Sequence, residues 1–408
     1  MLNLFKINRL YLLPPYLTTL FYILPGLLDL AISQNPTAIN LISISLISIT
    51  TYIISYTLFC DHHLTTLYRN IPRINIDWTT FDSIIVFTYF TTVIYAAATA
   101  PHIPLLEVFK GASISDLSVY REEFIRTRSG NERALPYIYT ILITALMPLV
   151  ISRMFFHATR KRLAITIIFI LSLAITLEKG RAIVALLPLF YININNGNFR
   201  KAFKTGIYLL IIITIISFIA RGGLSPQDID QGVMQKTPDS YNIFQNDENQ
   251  IYYIINRIIY IPYITAIDWL NYLDLVLKNE LVYGKSISIV ASIFNEETFN
   301  LEREVFNFQW GQNETGTGSS NTVFYIDSYL NFGYIGVILY SSLLALLIRI
   351  VVLSRNTPLI SALTISMYFT TFHSLTAVLF SGGLSFLVLI SILFKNTNIP
   401  SKNSKTSS

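Results

Sequence analysis

Runs of 15–23 apolar residues, almost free of charge, recur along most of this 408-residue chain. In lipid such a run must satisfy its backbone hydrogen bonds internally, which a helix does. A β-barrel is excluded, because its strands would alternate over about ten residues instead of running solidly apolar. Charged residues make up 13% of the chain and its mean hydropathy is +0.52, whereas soluble domains carry about 25% charge. The expected fold class is an all-α integral membrane protein.

Ten spans are expected, at roughly 11–31, 38–60, 82–101, 135–152, 163–177, 181–194, 205–220, 332–353, 358–379 and 382–394. The first follows Lys6 and Arg9 and contains Asp29, and it reads as an uncleaved first helix. The spans divide the chain into a membrane region 1–220, a large polar loop 221–331, a second membrane region 332–394 and a Lys-, Asn- and Ser-rich tail 395–408. The tail reads as disordered. Cys60 is the only cysteine, so no internal disulfide and no cysteine-based metal site is expected. No zinc, P-loop, dinucleotide or EF-hand pattern occurs, and no cofactor is expected.

Lys and Arg set the orientation. With the N-terminus in the cytoplasm, the inner segments hold 16 cations and three acids, and every short inner connection is positive. The loop 221–331 then lies outside. The basic balance reflects topology and does not point to nucleic acid. Residues 251–273 carry Arg257, Pro262, Asp268 and several tyrosines. A charge at mid-bilayer costs about 2.5–3.5 kcal/mol on insertion scales, and aromatics favour the headgroup layer. The segment therefore reads as interfacial helices, interrupted near Pro262.

Span length locates the first candidate site. Fifteen helical residues, 163–177, reach only about 22 Å, short of a hydrocarbon core of about 30 Å. The junction Glu178-Lys179-Gly180-Arg181 is thus expected below the outer surface, either as a functional site or as a hairpin whose charges neutralise each other. Arg221 ends another short span and Arg257 lies on the interfacial segment; both could equally snorkel to headgroups. The outer loop 102–134 contains Arg121 and Glu123 among five cations and five acids. Mixed charge favours a solvated helix there, with Arg121 and Glu123 as outside candidates for substrate contact. Phe306-Asn307-Phe308-Gln309-Trp310 combines aromatic faces with amides, which suits sugar rings, and Trp310 is the candidate contact. His373, in the ninth span, and Asp327, before the eighth, are candidate proton acceptors.

Ten spans, a large late outer loop, cytoplasmic termini, Glu178-Lys179-Gly180-Arg181 ending a short hairpin, Arg221 opening the loop and Arg257 within it make the chain resemble the Wzy-type O-antigen polymerases. The resemblance is architectural and covers most of the chain. It implies a GT-C-like glycosyltransferase of the bacterial inner membrane, working on the periplasmic side. It also implies a substrate of undecaprenyl-diphosphate-linked oligosaccharide and partnership with a chain-length regulator and other O-antigen assembly proteins. The enzyme would move the growing glycan from its lipid carrier onto the non-reducing end of a new lipid-linked unit. Arg181, Arg221 and Arg257 would then hold diphosphate, and Glu178, His373 or Asp327 would act as the base. The rivals are an O-antigen ligase, a glycosyltransferase using a polyprenyl-phosphate sugar and, in another class, a flippase or permease. The absence of an internal repeat counts against the transporter.

Overall fold

The computed structural model of the chain describes residues 7–60, 62–178, 180–221, 260–311 and 318–395. Among them no strand forms; an isolated backbone bridge pairs Ile74 with Phe394. The helices used below are α1 (Leu10–Ser33), α2 (Pro36–Leu58), α3 (Trp78–Thr99), α4 (Ile114–Arg121), α5 (Glu132–Phe156), α6 (Arg162–Ala174) and α7 (Arg181–Asn195). They continue with α8 (Phe199–Arg221), α9 (Ile261–Leu275), α10 (Leu301–Trp310), α11 (Phe324–Leu353), α12 (Thr357–Phe369) and α13 (Leu384–Leu393). Each expected span holds one of these helices. Five of them, α1, α2, α3, α5 and α11, are long and apolar enough to cross a membrane, and α6, α7, α12 and α13 are shorter apolar helices. The protein is an all-α, multi-pass membrane protein.

Local chemistry explains where the helices start and bend. Asn35, Asp77, Asn300 and Asn356 each accept a hydrogen bond from a backbone N–H of the first turn of α2, α3, α10 and α12, satisfying donors that a helix start leaves open. Pro14, Pro15 and Pro25 deprive α1 of backbone donors, and the helix widens to a π turn over Thr19–Ile23. A second π turn, Leu142–Leu146, precedes Pro148 in α5.

The centre of the bundle is α2 against α11. Their shared face is lined with small hydroxyls that bond across it: Ser48 to Ser341 and Ser55 to Ser342 at 2.8 Å, and Ser45 to the Tyr325 hydroxyl at 3.0 Å. In lipid, where apolar burial between helices yields little, close approach and such bonds hold spans together. The outward face of α3, with Ile84, Phe87 and Ile94 exposed, is the complementary lipid-facing kind.

Helix α9 departs from expectation. Its aromatics do not turn outward toward headgroups: the helix is buried on most of its surface, with Tyr263, Trp269 and Tyr272 packed inside. Specific bonds pull it in. The Tyr263 hydroxyl donates to Asp29 (2.6 Å), Thr37 donates to Asn271 (2.9 Å), and Trp269 Nε1 donates to the Ser320 carbonyl (3.1 Å). Pro262 lies in its first turn, where a missing N–H costs nothing, and so does not interrupt the described helix.

The connections sort to the two ends of the bundle. One end ties residues 74–82 to Arg153 and to 393–395, through the Arg153–Asp82 ion pair (3.0 Å) and the Ile74–Leu393 and Lys395–Ile74 backbone bonds. The other end gathers the loops around 99–134, 175–178, 277–300, 318–322 and 370–383, and it carries the charged cluster described next.

Candidate functional site

The outer loop 102–134 does not stand free as a solvated helix. Phe124 and Ile125 are buried, and the Arg128 side chain, 6% exposed, donates to the carbonyls of Ala96, Thr99 and Phe124 while pairing with Glu132 at 3.0 Å. Arg128 thereby bonds carbonyls in the last turn of α3 and pins the loop onto the bundle. The expected salt bridges are present, Lys110–Glu107 and Arg126–Glu122 among them. The pinned π turn Glu122–Arg126 delivers Arg126 to the site.

Glu178 and Arg181 meet across the hairpin between α6 and α7. Arg181 Nε and Nη2 donate to the two Glu178 oxygens at 2.6 and 2.8 Å, a bidentate pair. The Arg181 guanidinium lies 5.1 Å from the Tyr139 ring centroid, and its Nη1 is buried with no hydrogen-bond partner among the described residues. Arg126 Nη2 approaches Glu178 Oε1 at 3.7 Å, and Arg121, at the end of α4, adds a further positive charge within electrostatic range. Burial pushes the Glu178 carboxyl up, but Arg181, Arg126 and Arg121 outweigh it and hold the group below the usual carboxylate range. Glu178 is thus held as an anion, paired with arginines.

Beside this cluster lies a cavity of about 290 Å3 whose walls include Glu302 of α10 and Asp327 of α11. Asp327 is 5% exposed; its Oδ2 is buried without a hydrogen-bond partner among the described residues, while Oδ1 takes only a long bond from Asn331 (3.4 Å). Glu302 is near enough to act on Asp327 electrostatically, and Arg126 acts in turn on Glu302. Burial raises the Glu302 carboxyl above its ordinary range, against the opposing pull of the Ser319 hydroxyl (2.8 Å) and Arg126. Ser374 and Thr376 close the cavity from the turn that also carries His373. His373 is half-buried, edge-on to Phe369 at 5.5 Å and within electrostatic range of Arg126. Arg126 therefore joins the two halves of the site.

A break in α11 sets the position of Asp327. Gly333 adopts φ 62°, ψ −152°, a conformation reserved for glycine. The interrupted helix leaves the Leu330 and Asn331 carbonyls without their usual acceptor roles, and the N–H groups of Val282 and Tyr283 donate to them at 2.9 Å each. Ser286 donates to Asn331 Oδ1 at 2.8 Å. The segment 282–286 is thus bonded to the break itself, and Ser286 continues into the cavity wall.

Of the residues singled out in the sequence, the structure brings Arg121, Glu178, Arg181, Asp327 and His373 to this end. Glu123 lies half-buried in the π turn beside Arg126. Arg221 ends α8, its side chain lying outside the described residues, as does the whole of Arg257. Trp310 ends α10 with its ring 6.0 Å from Phe306, and it is not among the residues lining the cavity. Trp269, Phe299 and Asn300 are among the residues that line it. Glu302, Arg126 and Tyr139 were missed. Glu302 reads in sequence as an ordinary first-turn acid of an amphipathic helix, and nothing local marks it as half-buried beside a cavity.

No protein-family model matches the chain, and no curated protein or solved structure resembles it closely enough to count as a match.

Proposed function

We propose that the protein is a glycosyltransferase of the bacterial inner membrane, with about ten spans in a GT-C-like arrangement and its charged end facing the periplasm. It polymerises undecaprenyl-diphosphate-linked repeat units, moving the growing glycan from its carrier to the non-reducing end of a new lipid-linked unit. One observation carries the reading: an arginine cluster adjoins a carboxylate-lined polar cavity at one end of an apolar bundle. A lipid-linked diphosphate presents its anion at that depth, and the reaction needs both kinds of group.

The donor loses a diphosphate, so negative charge grows on the oxygen that leaves the sugar carbon. Arginines placed in advance at that oxygen stabilise the charge without reorganisation, and the planar guanidinium suits phosphate. Arg126, with its side chain 59% exposed and its ion pairs long, makes the direct contact. Arg121 and Arg181 supply the surrounding positive field, with Glu178 fixing Arg181. The acceptor hydroxyl gives up a proton to a group in or beside the cavity, Asp327, Glu302 or His373.

Deletion of the gene in its host, followed by a gel of surface lipopolysaccharide, tests the assignment. A ladder collapsed to core plus one repeat unit supports polymerisation. Loss of that single unit as well would transfer the site to ligation or flipping, and an unchanged ladder would end the proposal.

A further inference from the structure

We infer that the cavity between α10 and α11 is a subsite for one sugar ring, the terminal residue of the acceptor, and that Asp327 is the base that activates its hydroxyl. This rests on the glycosyl-transfer reading above and narrows it to one site and one residue. Three observations carry it.

The first is size. At about 290 Å3 the cavity falls just below the roughly 300–1,000 Å3 of pockets that take drug-sized ligands. It has room for one ring and its hydroxyls, and a longer glycan would have to extend out of it.

The second is the lining. Ser286, Ser288, Thr298, Asn300, Ser374 and Thr376 put hydroxyls and one amide on its walls. Each can donate and accept, as a ring of sugar hydroxyls requires. Phe299, half-buried, supplies apolar surface for the C–H face of a ring. Among the described residues, the walls contain no arginine, lysine or histidine. Diphosphate therefore belongs with Arg126, and a neutral polyol belongs here.

The third is Asp327 Oδ2. A carboxylate oxygen buried without a partner forfeits hydration with no return, unless a ligand's hydroxyl completes it. The helix that carries Asp327 is anchored nearby, where α11 is broken at Gly333 and the segment 282–286 is bonded to the break. In the reaction, a sugar hydroxyl held on Oδ2 passes its proton to that oxygen as its own oxygen bonds to the donor carbon. The bond from that carbon to the diphosphate breaks, and its electron pair leaves on the diphosphate. Ser286 and Asn331 are positioning residues: they hold the break that aims Asp327.

The test uses the full-length protein in nanodiscs. Trp269 is one of three tryptophans and lines the cavity, so its fluorescence reports occupancy when free hexoses, N-acetylhexosamines and hexuronic acids are titrated in. At least one neutral monosaccharide should give a saturable change. Asp327→Asn and Thr376→Val should each weaken it by about tenfold, the scale of a lost hydrogen bond to a charged or buried group, whereas Arg126→Ala should leave it intact. No response to any monosaccharide, or a response equal in the Asp327→Asn and Thr376→Val variants, would overturn the subsite. The lipopolysaccharide gel separates the two levels. A collapsed ladder with no sugar binding rejects the subsite alone, and an intact ladder with sugar binding rejects polymerisation alone. For Asp327 as the base, Asp327→Asn should lower the turnover rate far more than it raises the apparent acceptor KM. An equal effect on both would reduce Asp327 to a binding group.

Discussion

Arg126 Nη2 lies 3.7 Å from Glu178 Oε1, a long ion pair between a loop pinned by Arg128 and the α6–α7 hairpin. That pair is loose where the Arg181–Glu178 pair is tight, and the difference separates a residue free to engage a ligand from one that shapes the site. Exposed ion pairs contribute about 0–1 kcal/mol. Arg126→Ala should therefore leave thermal stability in detergent almost unchanged while removing most chain extension. Arg126→Lys should rescue poorly, because an ammonium cannot reproduce the planar fork. Full extension by either variant would remove Arg126 from the diphosphate site.

Arg181 behaves differently. Removing one member of a fully buried pair leaves a stranded charge and costs about 3–5 kcal/mol; for this part-buried pair the cost is smaller. Arg181→Ala should lower the melting temperature, and the combined Arg181→Met, Glu178→Gln variant should recover much of the loss. Comparison of melting curves for the three proteins checks this; an additive double variant would refute the coupling.

The Glu178 carboxyl is held below its ordinary range. The stability it contributes is therefore present above the ordinary Glu pKa of about 4.3 and is lost only as pH falls through the lower folded value. Glu178→Gln should lower the melting temperature at pH 7, and the gap from the parent protein should narrow only on strong acidification.

Glu302 has the opposite sign. Burial raises its carboxyl, so its neutral form is the better accommodated one. The stability it contributes is present below the ordinary Glu pKa and is lost as pH rises through the raised value. Glu302→Gln should be the more stable protein at pH 8, with the advantage shrinking toward pH 4. Melting temperatures across that range decide the matter, and a constant offset would contradict the burial argument.

Gly333→Ala should cost about 1–3 kcal/mol, the range for a side chain forced into a glycine-only conformation. The variant should lose activity beyond what its lower stability explains, because the break aims Asp327. Activity per folded molecule, measured well below the melting temperature, would show it; a value equal to the parent's would separate the break from the site.

Much of the architecture was legible in the sequence because it follows from local and additive properties. Apolar runs of helical length specify helices in lipid, and each expected span holds one. The Glu178–Arg181 hairpin was legible for the same reason: two charges three residues apart on a short turn can hardly avoid each other. The burial of α9 was not. Its aromatics fit a headgroup layer as well as a protein interior, and only Asp29, Thr37 and Ser320, distant in sequence, choose the interior.

By itself the sequence determined the class of protein, the location of its helices and the regions where charge would collect, since hydropathy and charge are summed along the chain. Only the tertiary structure decided which charges meet. Arg126, Glu178, Glu302, Asp327 and His373 come from five separate stretches of sequence. Their encounter depends on a loop pinned by Arg128 and a helix broken at Gly333, contacts that no local pattern encodes.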